Sequence, residues 1–106
     1  MTYIEIAGVR YPAAVLGRLR DTDWNDRNSK AITLEMDFEA AKSLFVDGCP
    51  WSIVCVDGET ETVWDNSEFS VAGSVTDHRN GTVTVKMGKP TAEERLAQLL
   101  AKYGEA

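Results

Sequence analysis

The chain is expected to fold as an α+β domain. Antiparallel β-hairpins would form a sheet, sandwich or barrel, with a short middle helix and a C-terminal amphipathic helix. Three observations lead there. Apolar and polar residues alternate with period two through Tyr3–Ile6, Ile32–Met36, Phe69–Val75 and Val83–Met87. Turn-forming pairs, Ala7-Gly8, Asp57-Gly58, Asp65-Asn66 and Asn80-Gly81, separate the alternating runs. A capped stripe of helical period closes the chain. At 106 residues the sequence has the length of one domain, residues 1–106.

Residues 3–6 and 9–11 flank Ala7-Gly8. A two-residue turn there pairs Ile6 with Val9 and Ile4 with Tyr11, all four on one face. Alanine is a poor choice for the positive φ of such a turn. After Pro12 a second strand is expected from about Ala14 to Arg20, with Val15 and Leu19 on one side and Leu16 on the other. Residues 21–29 are dense in turn formers and read as a loop. Ile32, Leu34 and Met36 then mark a half-buried strand.

Asp37 can cap a short helix over Phe38–Val46, with Phe38, Ala41, Leu44 and Phe45 at helical spacing and Asp47-Gly48 as its stop. Trp51–Val56 and Thr60–Trp64 read as a second hairpin around Asp57-Gly58. Trp51 and Trp64 could face each other across it. In Glu68–Gly88 two turns compete. A two-residue turn at Asn80-Gly81 puts the apolar rows on opposite faces. A three-residue loop, with a type I turn and Gly81 in the left-handed bulge position, pairs Val75 with Val85 and Gly73 with Met87. Burial of one face selects the second.

Thr91 and Glu94 form a capping box, followed by Ala92, Leu96, Leu99, Leu100 and Tyr103 on one stripe; Gly104 is expected to end the helix. The expected core is Ile4, Ile6, Ile32, Leu34, Phe45, Ile53, Val71, Val75, Val85 and Leu96.

Composition removes several function classes. With 43% hydrophobic and 26% charged residues the chain is too apolar for a disordered one. Its net charge of -6 argues against nucleic acid as a partner. No apolar run approaches the ~20 residues of a membrane span, so no membrane partner is expected. The start alternates polar and apolar residues and has no basic n-region or apolar h-region, so no signal peptide is expected. Cys49 and Cys55 would lie roughly 20 Å apart along a strand, too far for a disulfide. Two free thiols are expected, with Cys55 buried as a small hydrophobe.

Candidate chemistry is sparse. His78 lies between Asp77 and Arg79, but strand neighbours point to opposite faces, so Asp77 would not orient the imidazole. A turn-flanking exposed histidine is the better reading. Asp21, Asp23 and Asn25 imitate the first positions of a calcium loop. Asp26 then replaces the required glycine and Ile32 the required glutamate, so an Asx-turn loop is preferred. Asn80-Gly81-Thr82 fits a glycosylation sequon but is better explained by turn chemistry. No glycine-rich phosphate motif or nucleophile elbow is present. No catalytic residue, cofactor site or metal site is therefore expected. Candidate partner contacts are Trp24, a large aromatic that either folds back on the domain or meets a partner, and Leu99 and Tyr103 on the C-terminal stripe.

The stretch Trp64–Lys89, with Tyr3–Pro12, Leu44–Gly48 and Trp51–Ile53, resembles a small family of uncharacterised prophage-encoded proteins of Gram-positive bacteria. Genes of that family tend to lie in the tail and baseplate region. The resemblance covers nearly the whole chain. It implies a bacteriophage structural or assembly protein that acts through protein–protein contacts with other phage structural proteins or with itself as a homo-oligomer. The implied location is the bacterial host cytoplasm during assembly, or the virion. The alternative is a small soluble regulatory or ligand-binding module without catalytic activity.

Overall fold

The structure, a computed structural model, describes residues 1–103, except for the side chains of Lys102 and Tyr103. Seven strands form one antiparallel sheet that is not closed into a barrel. In chain order they are β1 (Thr2–Ile6), β2 (Val9–Asp21), β3 (Arg27–Glu35), β4 (Ser52–Asp57), β5 (Thr60–Asp65), β6 (Val71–Asp77) and β7 (Thr82–Gly88). Helix α1 (Phe38–Leu44) follows β3, and α2 (Ala92–Tyr103) closes the chain. The spatial order is β5-β4-β1-β2-β3-β7-β6, so β5 and β6 are the two edges.

The first hairpin has the expected register, Ile4 opposite Tyr11 and Ile6 opposite Val9. Ala7 takes φ 51° and Gly8 φ 81°, so alanine does adopt the left-handed conformation that the turn demands. Pro12 does not interrupt the second strand. β2 is continuous over thirteen residues, pairing Val9–Pro12 with β1 and Ala13–Asp21 with β3. It is therefore the strand that joins the two halves of the sheet. Val15 packs against the core, but Leu19 is 87% exposed, because the β2–β3 register shifts between Arg18 and Asp21.

One cluster of buried residues draws on both halves of the sheet. Ile4, Ile6 and Trp51 come from one, and Ile32, Leu34, Val83, Val85 and Met87 from the other, with Ala41 and Phe45 added by the α1 segment. Of the expected core, Ile4, Ile6, Ile32, Leu34, Phe45 and Val85 are buried, while Ile53 and Val75 pack at its margin and Val71 is half-buried. Leu96 is the exception at 58% exposed, for a reason given below.

α1 is shorter than expected, and its N-cap Asp37 makes no side-chain capping bond. Its register on the sheet comes from burial of Ala41 and Phe45, with Phe38 and Leu44 packed beside them. Cys49, not Cys55, is the buried thiol, because Cys49 follows α1 into the core. Both thiols are free. Trp51 and Trp64 do not face each other. Trp64 sits opposite Ile53 on the edge strand, whereas Trp51 lies opposite Asn66 and is buried. The Trp51 indole N–H donates to the Phe69 carbonyl at 3.0 Å, and the two rings meet edge to face at 6.4 Å.

The β6–β7 hairpin has Val75 opposite Val85 and a three-residue loop, Arg79–Gly81, closed by His78 N–H on the Thr82 carbonyl. Two details differ from expectation. Arg79 has φ 58°, so the loop is not a type I turn, although Gly81 does take positive φ at 90°. Met87 faces Ala72 instead of Gly73, because a register shift between Ala72 and Val75 displaces the start of β6.

Candidate functional site

The loop after β2 is tighter than the sequence suggests. Strand pairing resumes at Arg27, leaving only residues 22–26 as the turn. Asn25 and Asp26 both take φ 56°, a conformation that short Asx side chains tolerate better than most. Hydrogen bonds from Trp24 N–H to the Asp21 carbonyl and from Arg27 N–H to the Trp24 carbonyl close it.

Trp24 folds back on the domain. Its ring lies over Gly73 and Gly88, where a Cβ at Gly73 would come within 2.6 Å of it. The two glycines leave the space that the indole occupies. The Arg27 guanidinium stacks over the ring, 4.5 Å from its centroid.

Arg27 is 6% exposed, and its two terminal nitrogens bind the start of α2 and the segment leading into it. Nη1 donates to Glu94 Oε1 at 2.6 Å and to the Lys89 carbonyl at 2.9 Å; Nη2 donates to Glu94 Oε2 at 3.3 Å. The Glu94 carboxylate, held by Arg27 and by the Thr91 N–H, has its pKa lowered to about 2. The capping box is present as expected, with Thr91 N–H donating to Glu94 Oε1 at 2.8 Å and Glu94 N–H to Thr91 Oγ1 at 3.2 Å. One carboxylate thus caps the helix and ties its first turn to the sheet.

Beneath the same loop, Asp21 is fully buried. Oδ2 accepts from Lys86 Nζ and Ser29 Oγ, each at 2.9 Å, and Oδ1 from the Asp23 N–H. These bonds, that from Lys86 foremost, lower its pKa to about 2 against the desolvation that opposes ionisation. The arrangement holds the carboxylate in place among its donors. Among the described residues no group of three or more His, Cys, Asp and Glu could hold a metal ion.

The C-terminal stripe is uncovered. Leu96, Leu99 and Leu100 are 58%, 50% and 64% exposed, and among the described residues α2 runs along no strand. Leu96 therefore leaves the expected core because the helix projects from its anchored first turn. Leu99 lies on this open stripe; the Tyr103 side chain and Gly104 fall outside the described residues. His78 is exposed and accepts or donates a 2.7 Å bond with Thr84 Oγ1, which also meets Thr33 Oγ1 at 2.8 Å. Asn80 Oδ1 accepts from Thr82 N–H and Oγ1, the turn chemistry proposed for it.

The sequence reading found Glu94 as a cap but missed Arg27 as its partner. Sixty-seven positions separate the two, and nothing in the local pattern marks the one cation of that loop as buried. No family model, curated protein or solved structure matches the chain. No helix is long and apolar enough to cross a membrane.

Proposed function

We propose that the protein is a non-enzymatic structural or assembly component of a bacteriophage or prophage particle, from its tail or baseplate. It acts by contact with other phage proteins or with copies of itself. The observation that carries this reading is α2. Its first turn is fixed by a buried arginine and a capping box, yet Leu96, Leu99 and Leu100 remain in solvent. A helix fixed at one end with an uncovered apolar stripe suits a surface that another subunit completes. The sequence resemblance to prophage-encoded proteins supplies the biological setting.

Proteomics of induced phage particles and of assembly intermediates tests the role, together with the gene neighbourhood. The expected result is the protein in particles or intermediates and its gene among tail and baseplate genes. A gene far from any phage cluster, with no protein in either fraction, overturns the proposal. Light scattering of the purified chain separately tests self-association.

A further inference from the structure

The two edges of the sheet are finished differently. The start of β6 is covered: Ala72 N–H donates to Asp47 Oδ1 at 2.8 Å, Gly48 N–H donates to the Ser70 carbonyl at 2.8 Å, and α1 packs alongside. The register shift between Ala72 and Val75 further interrupts that edge. β5 has none of these devices. Its ladder with β4 runs without a register shift over six pairs, and every residue of β5 is exposed.

Ladder alternation identifies which β5 groups point outwards. Asn66 N–H donates to the Trp51 carbonyl, which makes Trp51 and Asn66 a hydrogen-bonded pair. Val56 N–H donates to Met1, towards β1 and away from β5. Both observations put Glu61, Val63 and Asp65 at the non-bonded positions of the β4–β5 pair, so their N–H and C=O groups point away from the sheet. No hydrogen bond to these backbone groups is present among the described residues. Val63 and Trp64, on opposite faces of the same strand, are each 51% exposed.

We infer that the outer edge of β5 accepts an extended strand from a partner protein, with apolar residues opposite Val63 and Trp64 and basic residues near Glu59 and Asp65. The inference deepens the contact role proposed above and rests on it. Charge selects the partner. Glu61 is met by Arg10, but Asp57, Glu59 and Asp65 have no cation among the described residues. A second copy is a poor occupant. An antiparallel β5 pair with Val63 on the two-fold axis sets Glu61 against Asp65 twice. With Thr62 on the axis, Asp65 meets Glu59 twice; with Trp64 on the axis no like charges meet, but only residues 63–65 of the two strands overlap, too short a ladder to hold a dimer. Like charges directly opposite destabilise a pair, and each chain already carries net charge -6. A strand with lysine or arginine at its ends removes this penalty and supplies the missing backbone partners.

The test uses the full chain and a synthetic seven-residue peptide, Lys-Val-Val-Thr-Thr-Thr-Lys, whose antiparallel alignment sets valine opposite Trp64 and Val63 and lysine opposite Asp65 and Glu59. The expected result is slowed amide exchange at Glu61, Val63 and Asp65, with no change at β6. A peptide with glutamate ends should bind at least about tenfold more weakly, as should Glu59→Lys with the lysine peptide. Val63→Pro removes one outward donor and leaves the β4 ladder intact, so the fold should persist while binding falls about tenfold. Equal binding of both peptides, protection at β6 instead of β5, or full binding by a folded Val63→Pro chain overturns the inference. A protein found in phage particles whose β5 amides ignore the peptide loses the edge site alone. Peptide binding by a protein absent from particles loses the phage role alone.

Discussion

The two helices solve opposite problems. α1 has seven residues and no side-chain cap at Asp37, yet it buries Ala41 and seats Phe45 in the core. α2 has twelve residues, a complete capping box and a continuous leucine stripe, yet the stripe stays in solvent. The first owes its existence to packing and the second to local chemistry. A cap fixes where a helix begins; it does not say what the helix will cover.

If the sheet and α1 form the stable unit, the largest effect should come from Trp51. Trp51→Ala removes a side chain that is 1% exposed, its contact with Phe69 and its bond to the Phe69 carbonyl. The expected cost is about 3–5 kcal/mol. Urea unfolding with a tryptophan-independent probe would measure it. A cost below about 1 kcal/mol would mean that this half of the core is not the stabilising one.

Acid should then separate the buried charges from the exposed ones. Asp21 and Glu94 have pKa values lowered to about 2 from 3.8 and 4.5, so each favours the folded state while ionised. That contribution is fully present above pH ~5 and is lost as pH falls from about 4 towards 2. For Glu94 the effect is reduced by solvent, since its side chain is 41% exposed. Asp21→Asn should flatten the acid limb of a stability-versus-pH curve more than Glu94→Gln does. Glu94→Gln should instead loosen α2, seen as faster amide exchange confined to residues 92–103. If Glu94→Gln accelerates exchange throughout the sheet, the helix is not the separable element described above.

The sheet also shows where sequence reasoning reaches and where it stops. The register of the first hairpin and the pairing of Val75 with Val85 follow from keeping apolar residues on one face, a constraint written in the chain itself. The shift at Ala72–Val75 is not written there, because it lies where Trp24 arrives from a loop some fifty residues earlier and needs the bare backbone of Gly73. The Arg27–Glu94 pair was hidden for the same reason: it depends on the fold bringing two distant turns together. Leu96 looked like a core residue because an amphipathic stripe has one appearance whether it meets its own sheet or another molecule. The candidate surface was therefore partly visible, as Leu99 on that stripe, while the bare β5 edge required the strand order.

Gly81→Ala probes the turn that this alternation depends on. Gly81 has φ 90° and open space around its Cα, so the penalty is conformational and should be on the order of 1 kcal/mol. Arg79, at φ 58°, offers the opposite variant. Arg79→Gly should relieve strain and leave stability unchanged or slightly improved, by up to about 1 kcal/mol. A thermal melt showing both variants equally destabilised would remove the conformational explanation.

The smallest effect should fall on Leu99. The side chain is half exposed and its helix runs along no strand, so Leu99→Ala in the isolated protein should change unfolding free energy by no more than about 0.5 kcal/mol. Alanine also has a slightly higher helix propensity than leucine, which offsets part of any loss. The informative measurement is the contrast between two settings. In the isolated chain the melting temperature should hardly move. In particles or assembly intermediates, incorporation of the variant should fall, because a leucine at the centre of an interface contributes only when a neighbour removes it from water. A large loss of stability in the isolated chain would place Leu99 in an intramolecular contact and collapse the distinction between the helices. Normal stability with normal incorporation would leave α2 anchored but idle, and the β5 edge as the remaining contact surface.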